Sequence, residues 1–440
     1  MSADLIKSAI YSIILHGGQR NMSKTMTITD FLDNSYTAFH ACENACKMLD
    51  EAGFTRVSLS QKLDLKQGGK YYVVKNDSAL VAFRIGAIDK YGFNVIASHT
   101  DSPSLHVKGN ILVSSAEGKR LNVEEYGGLV MYSMIDIPLK IAGRAVYETA
   151  DRLTVKTVVS NEIFNIPGQA IHQNREVNDK CGFNTQVDML PLIGDASDVY
   201  SLVGGGNVID ADLYAVPAVK AYRAGAKSEF LVSPRIDNLT SVYSSVRAII
   251  DSEPTGIAVC ACFDNEEIGS MTKQGARSSL LLSVLKKINS ALGKTDDDFN
   301  YAIENGMLLS SDNGHAIHPA HPEKSDPAIA PLVNGGVVIK HHVNYATDGL
   351  SSAAIKVLSA RHNIAVQEYY NRSDTRCGST LGPMASAITG LNACDVGLAQ
   401  LAMHSALETV GFDDISRMQK LMTAFYSTRF SHTDNGIKVE

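Results

Sequence analysis

Apolar residues recur at two different periods along the 440-residue chain, and the switches between them map its organisation. Over residues 35–52, Phe39, Cys42, Ala45, Cys46 and Leu49 fall at helical spacing, and Gly53 stands where a C-terminal cap would sit. Three apolar runs follow, Tyr71–Val74, Ala79–Ile85 and Phe93–Ala97, and each predicts a strand. Helical periodicity then fades. Short β-rich runs at Asn110–Ser114, Leu153–Val159, Val203–Asn207 and Asp212–Val216 alternate with turn signals. After residue 235 strands and helices alternate again. Helices are predicted over Ile236–Asp251, Ser278–Leu292, Ala353–Arg361 and Ile415–Phe425, and Leu398–Thr409 is expected to end in one. Strands are predicted over Gly256–Phe263, Gly306–Ser310, Val337–Lys340 and Ile364–Tyr369, with Cys260 and Cys262 as small core residues. This is the pattern of an α/β sandwich around a mostly parallel or mixed sheet. It predicts a discontinuous catalytic unit, 1–104 with 233–440, carrying a β-rich insertion over 105–232.

Composition narrows the function. Forty Lys+Arg against 47 Asp+Glu give a net charge of -7, which offers no sequence-independent grip on phosphate and argues against a nucleic-acid partner. The 45% hydrophobic and 20% charged content excludes extensive disorder. Nothing approaches the roughly 20 consecutive apolar residues of a membrane span, so no membrane partner is expected. The seven cysteines are odd in number and scattered without a C-x-x-C pair. They predict free thiols in a reducing, cytoplasmic setting. Residues 1 to about 25 read as an extension ahead of the first element, and the short run Ala9–Leu15 is a poor secretion signal.

Candidate chemistry gathers behind the apolar runs. His99 and Asp101 follow Phe93–Ala97, Asp264-Asn265-Glu266-Glu267 follows Gly256–Phe263, and Asp312 follows Met307–Ser311. Asp237 precedes a predicted helix, and His404 lies in Leu401-Ala402-Met403-His404-Ser405. Open α/β sheets bind ligands outside the carboxyl ends of their strands. Two histidines and three carboxylates are suitable donors for two divalent ions, and one further carboxylate can accept a proton from water. His99 and Asp101 face the same way if extended, so Asp101 could fix the ring tautomer. Adjacent Glu266 and Glu267 would point apart, leaving one for metal and one for water. Taken singly, each has a blander reading: a helix cap for Asp237, a turn for Asp312, a core histidine for His404 and a solvated pair for the two glutamates. No H-E-x-x-H is present, so a single-zinc helix site is not supported.

In order from about 30 to 425, the chain resembles the aspartyl aminopeptidase family of dinuclear zinc metallo-aminopeptidases. The resemblance rests on Ser98-His99-Thr100-Asp101-Ser102-Pro103, Glu125-Tyr126-Gly127-Gly128, Ala170-Ile171-His172-Gln173-Asn174-Arg175, Ser233-Pro234-Arg235-Ile236-Asp237-Asn238-Leu239, Phe263-Asp264-Asn265-Glu266-Glu267-Ile268-Gly269-Ser270, Ser311-Asp312-Asn313-Gly314-His315, Tyr345-Ala346-Thr347-Asp348, Cys377-Gly378-Ser379-Thr380-Leu381-Gly382-Pro383 and Met403-His404-Ser405. It implies a phosphorylase/hydrolase-like three-layer α/β/α core with an inserted β domain serving as lid and oligomerisation unit. It implies that His99 and Asp312 bind one ion, that Glu267 and His404 bind the other, and that Asp237 bridges them. Zinc is the implied metal, with cobalt or manganese acceptable to the same donors. Glu266 would be the general base and Asp101 would orient His99. His172 would reach a neighbouring subunit's site, and His315, Lys340 and Tyr345 would line the substrate pocket. Family members form tetrahedral dodecamers and act on peptides with a free N-terminus.

Two departures bear on specificity. The family usually has a Trp and a Phe-Asp-Arg run after Tyr-Gly-Gly, whereas this chain has Leu129–Pro138 there and no Trp at all. The family also usually has an Arg before the Tyr, where this chain has Asn344. An acidic substrate side chain benefits from such a charge, so acidic and neutral N-terminal residues both stay open. Two other classes stand beside this reading: a dinuclear amidohydrolase of acylated amino acids, and a non-catalytic assembly protein. The first needs no free α-amine, and the second has no need of the full ligand set.

Overall fold

The computed structural model describes residues 25–440 apart from Cys181. The expected extension and its apolar run therefore lie outside the described residues, save Thr25. Two helices open the described chain, Ile28–Asn34 and Ala38–Glu51. The strands β1 (Thr55–Arg56), β2 (Lys70–Lys75), β3 (Ala79–Ile85) and β4 (Phe93–His99) follow. Six antiparallel strands come next: β5 (Ser104–Ser115), β6 (Gly118–Tyr126), β7 (Leu139–Thr149), β8 (Arg152–Val159), β9 (Leu192–Gly194) and β10 (Val208–Pro217). They form one sheet with its own buried core, including Leu105, Val123, Ile141 and Leu213. This is the inserted β domain of an α/β protein.

The chain then returns through β11 (Tyr222–Ala224) and β12 (Phe230–Ser233) to the Ile236–Asp251 helix. It continues through β13 (Ile257–Phe263), helices Leu280–Ala291 and Asp296–Glu304, β14 (Met307–Ser311) and β15 (Gly314–His315). Next come β16 (Val337–His341), the Gly349–Arg361 helix, β17 (Val366–Tyr370) and the Leu381–Thr389 helix. The described chain closes with β18 (Ala393–Gly397), β19 (Ala399–Leu401), β20 (Glu408–Gly411), the Phe412–Tyr426 helix, β21 (Phe430–Thr433) and β22 (Gly436–Val439).

The main sheet has nine strands in the order β1-β2-β3-β13-β4-β14-β18-β16-β17. Its centre is parallel: β13, β4, β14 and β18 run the same way. Both faces are covered, as a parallel sheet requires. Along β13 the side chains alternate between two layers. Ala258, Cys260 and Cys262 pack under the Ala38–Glu51, Ile236–Asp251 and Phe412–Tyr426 helices, while Ile257, Val259, Ala261 and Phe263 pack under Leu280–Ala291 and Asp296–Glu304. The layers are thus α/β/α, as expected.

Most predicted strands and helices appear at or near their predicted positions, with two exceptions. No helix forms over 398–409. Leu398–Met403 begins as β19 in a sheet with β20, and the loop between them holds Ala402 and His404 at positive φ, 56° and 66°. A right-handed helix cannot contain that backbone. The Val203–Asn207 run is not a strand either. A 3-10 turn ends at Val203, and Gly204, Gly205 and Gly206 all take positive φ, which glycine adopts freely.

One buried histidine ties stability to pH. His40 lies on the Ala38–Glu51 helix with its Nδ1 2.9 Å from the Thr37 hydroxyl. Burial lowers its pKa to about 4, opposed by Glu43 and reinforced by Arg235 and Lys47. The unfolded chain then binds a proton that the folded one refuses across the window from about 6.5 down to 4. Stability is full above that window and falls on acidification through it, by up to about 3 kcal/mol from this residue. Denaturant unfolding between pH 7 and 4 should show a shallower loss in His40→Gln than in the wild type.

Candidate metal centre and cleft

The register of the parallel strands brings the sequence candidates level with one another. Phe263 pairs with His99 across β13 and β4, and Ser310 pairs with Ala97 across β14 and β4. His99 therefore ends its strand beside the Asp264–Glu267 turn and at the height of Asp312. Asp237 enters from the start of the Ile236–Asp251 helix. Its carboxylate caps nothing: the capping position is Arg235, and Asp237 itself has extended backbone angles. The Asp237–Asn238 peptide is cis. His404 arrives from the β19–β20 loop.

These side chains alternate in one string. Asp312 Oδ1 lies 3.5 Å from His99 Nε2, and His99 Nε2 lies 3.6 Å from Asp237 Oδ1. Asp237 Oδ2 lies 3.6 Å from His404 Nε2, which is 3.3 Å from Glu267 Oε2. Asp237 is central, with one oxygen toward each histidine. Ligand atoms in a tetrahedral zinc site, each roughly 2.1 Å from the ion, are themselves roughly 3.4 Å apart. The spacing therefore fits an ion in each half better than it fits direct hydrogen bonds. Asp237 Oδ1 and Glu267 Oε1 are buried without any hydrogen-bond partner, which a bound cation would supply. Donor atoms of His99, Asp237 and Asp312, and those of Asp237, Glu267 and His404, form two candidate metal groups, and His99 with Glu266 and Glu267 forms a third.

The charges respond to their confinement. Burial pushes Glu266 up to about 8, with His99 opposing and Asp312 and Asp101 reinforcing. Burial, with Asp237 beside it, also holds Glu267 well above the usual carboxylate range. Burial works against a charge on His99, but the carboxylates of Asp101, Asp237 and Asp312 beside its ring outweigh it and raise its pKa. For His404 burial is likewise overcome, by Asp237 and Glu267, and the pKa rises to about 10. Burial opposes the Asp237 charge, yet the two histidines bring its pKa down.

Backbone amides hold the donors in place. Asp101 accepts from the N–H groups of Glu266 and Glu267, both at 3.1 Å, and lies 3.3 Å from His99 Nδ1. The Tyr126 hydroxyl donates to Asp101 Oδ2 at 2.7 Å and accepts from Asn265 Nδ2 at 3.0 Å. Glu408 accepts from the N–H of Asp237 at 2.9 Å and of His404 at 2.7 Å. Burial and Asp237 push Glu408 up to about 8, while those amides oppose the rise. Gly128 C=O meets His404 Nδ1 at 3.1 Å. A Cβ on Gly128 would come 3.2 Å from that nitrogen, and one on Gly127 would come 3.0 Å from the Glu267 Cβ, so glycine permits this close approach. Glu408, and the positioning roles of Tyr126 and Gly128, escaped the sequence reading. Their only local signal is polarity or glycine in or just past a strand.

The cleft in front of the donors has a volume of about 460 Å³. It is lined by His99, Asp237, Glu266, Glu267, Asp312 and His404, and by His315, Lys340 and Tyr345. Lys340 is buried, and its Nζ donates to Asp312 O at 3.0 Å and Oδ2 at 3.3 Å and to Asn313 O at 2.9 Å. Desolvation in the cleft lowers the pKa of His315, and Lys340 adds to it. Asp101 lies behind the donors. His172 is not brought to this cleft: it is exposed on the long connection between β8 and β9.

Fold and site together define a class, a three-layer α/β/α protein whose strand ends gather histidines and carboxylates suited to divalent metal. Known proteins narrow it. The family model described as aminopeptidase I zinc metalloprotease (M18) matches residues 31–204 and 198–426. A "Probable M18 family aminopeptidase 2" of Clostridium novyi is 37% identical over 422 residues, covering 91% of this chain and 98% of the relative. Among solved structures, the cryo-EM complex of Ape4 and Nbr1 superposes with a TM-score of 0.87 at 31% identity, covering 91% of this chain and 84% of that one. The S. cerevisiae mApe1 dodecamer superposes with a TM-score of 0.78 at 26% identity, covering 91% and 95%. The chain belongs to the M18 family of zinc metallo-aminopeptidases, hydrolases of peptide bonds.

Removing one support should loosen the centre without emptying it. Tyr126→Phe deletes a hydrogen bond to Asp101 and keeps the ring. Metal competition titration should show zinc affinity about ten- to a hundredfold weaker. Unchanged affinity would mean that the hydroxyl does not position His99 or the glutamates.

Proposed function

We propose that the chain is a dinuclear aminopeptidase that removes acidic or neutral N-terminal residues from peptides with a free α-amine. The alternating string from Asp312 to Glu267, with Asp237 central, carries this reading. His99 and Asp312 would hold one ion, Glu267 and His404 the other, and Asp237 both. Zinc suits two imidazoles and three carboxylates, and cobalt or manganese would be accepted by the same donors. Bound there, the ions supply Lewis acidity to the scissile carbonyl and acidify water.

The chain's own residues do the rest. The Glu266 carboxylate lines the cleft and accepts no hydrogen bond from the described residues, so it is free to take a proton. As water oxygen bonds to the carbonyl carbon, Glu266 accepts the water's proton. It returns that proton to the amide nitrogen as the C–N bond breaks, giving a free amino acid and a peptide shortened by one residue. Asp101 keeps His99 in one orientation. Lys340 fixes Asp312. His315 and Tyr345 line the approach to the donors.

His172 and the inserted sheet enter through assembly. We infer a homo-oligomer, supported by the dodecameric form of S. cerevisiae mApe1. A tetrahedral dodecamer would let the exposed His172 loop approach a neighbouring cleft, with 105–232 as lid and oligomerisation unit. The six described cysteines without disulfide partners fit the cytoplasm. Among the described residues no helix is long and apolar enough to cross a membrane. The comparisons do not favour the deacylase or the assembly protein.

Glu266→Gln should lower kcat by at least about a thousandfold while zinc content per subunit stays near wild type. Loss of zinc in that variant would move Glu266 from proton carrier to ligand.

A second measurement separates the reaction classes. The zinc-loaded protein is offered free-amine and N-acetylated Asp, Glu, Leu and Ala peptides, with and without a chelator. Chelator-sensitive release from the free-amine set alone is expected. Cleavage of the acetylated set would identify a deacylase.

A further inference from the structure

One permanent cation lining the cleft has no partner among the described residues. Lys340 is committed, because its three hydrogen bonds use all three ammonium protons. His315 is held toward its neutral form by desolvation and by Lys340. Arg376 differs from both. It lines the same cleft, is exposed, and makes no hydrogen bond or ion pair with any described residue.

The contrast with its neighbourhood is specific. Arg372, four residues earlier, closes its fork on Asp374 at 2.6 and 3.1 Å. The Cys377 thiol donates to the Tyr345 hydroxyl at 3.1 Å, and the Tyr369 hydroxyl donates to Asn371 at 2.8 Å. These polar groups satisfy one another. Every acidic residue lining the cleft belongs to the candidate metal cluster. The cleft therefore offers Arg376 no free anion of its own. A planar guanidinium with five donors matches a carboxylate through two parallel hydrogen bonds.

We propose that Arg376 is a specificity-determining residue that receives the side-chain carboxylate of an N-terminal Asp or Glu. The inference rests on the aminopeptidase reading and deepens it. The donor cluster takes the free α-amine and scissile carbonyl, and Arg376 reads the side chain, so acidic residues outrank neutral ones.

The test compares zinc-loaded wild type, Arg376→Met and Arg376→Lys on peptides beginning with Asp, Glu, Leu or Ala. C-terminal amides and free acids are run side by side. On amides, Arg376→Met should cut the Asp-to-Leu ratio of kcat/KM about ten- to a hundredfold, mainly through KM. Leu and Ala peptides should stay within about twofold of wild type, and Arg376→Lys should recover part of the ratio. Inhibition by free L-aspartate should weaken in parallel, with inhibition by L-leucine unchanged.

An unchanged ratio, or an equal fall on all four peptides, would overturn the proposal. A loss confined to free-acid peptides would also overturn it, by assigning the guanidinium to the other end of the substrate. Wild type that cleaves Leu and Ala but refuses Asp and Glu would remove this inference and leave the aminopeptidase standing. Wild type inactive on every free-amine peptide would remove both.

Discussion

Concentrated negative charge, held where water is scarce, is the constraint to which the rest of the structure answers. Asp101, Asp237, Asp312, Glu266 and Glu267 gather around only two histidines. Buried carboxylates are costly unless paired or bound to metal. Burial and mutual repulsion push Glu266 and Glu267 up, and the surrounding carboxylates push both histidines up with them. Two divalent cations would relieve the same crowding of charge. The parallel register of β13, β4 and β14 keeps His99, Glu266, Glu267 and Asp312 from drifting apart, because each sits at or within four residues of the end of a fully buried strand.

The inserted sheet is part of this arrangement. β5 leaves three residues after Asp101, and the end of β6 comes back to the donors. Tyr126 reaches Asp101, Gly128 meets His404, Val130 N–H donates to His404 O at 3.1 Å, and Ala406 N–H donates to the Ser133 hydroxyl at 2.8 Å. Moving this sheet as a body would break bonds on both halves of the centre at once. Such a connection suits a lid held fixed beside the donors better than one on a free hinge. Any gating is then left to loops farther from β6, such as the exposed segment bearing His172.

The donors at strand ends were legible because a strand's apolar run states where it stops, and parallel strands stop on one side. Asp237 and His404 also stand out as candidates in the sequence, but their ligand roles come only from the resemblance, since neither follows a strand directly. Where the reading failed, the reason is long-range pairing. Leu398–Met403 is apolar enough for either element, and periodicity cannot choose in so short a run. Pairing with β20 and β15 chose strand. The positive φ of Ala402 carries no local mark, and histidine takes such angles too rarely for His404 to announce one. Glu408 was invisible for a related reason. Only the folded chain shows that its carboxylate lies beneath two backbone amides from segments 171 and 4 residues away.

Asp101 and Glu408 make a matched pair, and their match explains how loops achieve precision here. Neither lines the cleft. Each instead binds two backbone N–H groups of candidate site residues: Asp101 those of Glu266 and Glu267, Glu408 those of Asp237 and His404. A carboxylate holding main-chain donors fixes the Cα positions and leaves the side chains of those residues free for chemistry. Charge-assisted bonds of this kind are about twice as strong as neutral ones. Turns that would otherwise be loose thereby gain the positional definition of a strand end. The arrangement also separates two tasks. The carboxylates behind the centre set geometry, and those in front of it, facing the cleft, are free to exchange a proton or bind a cation.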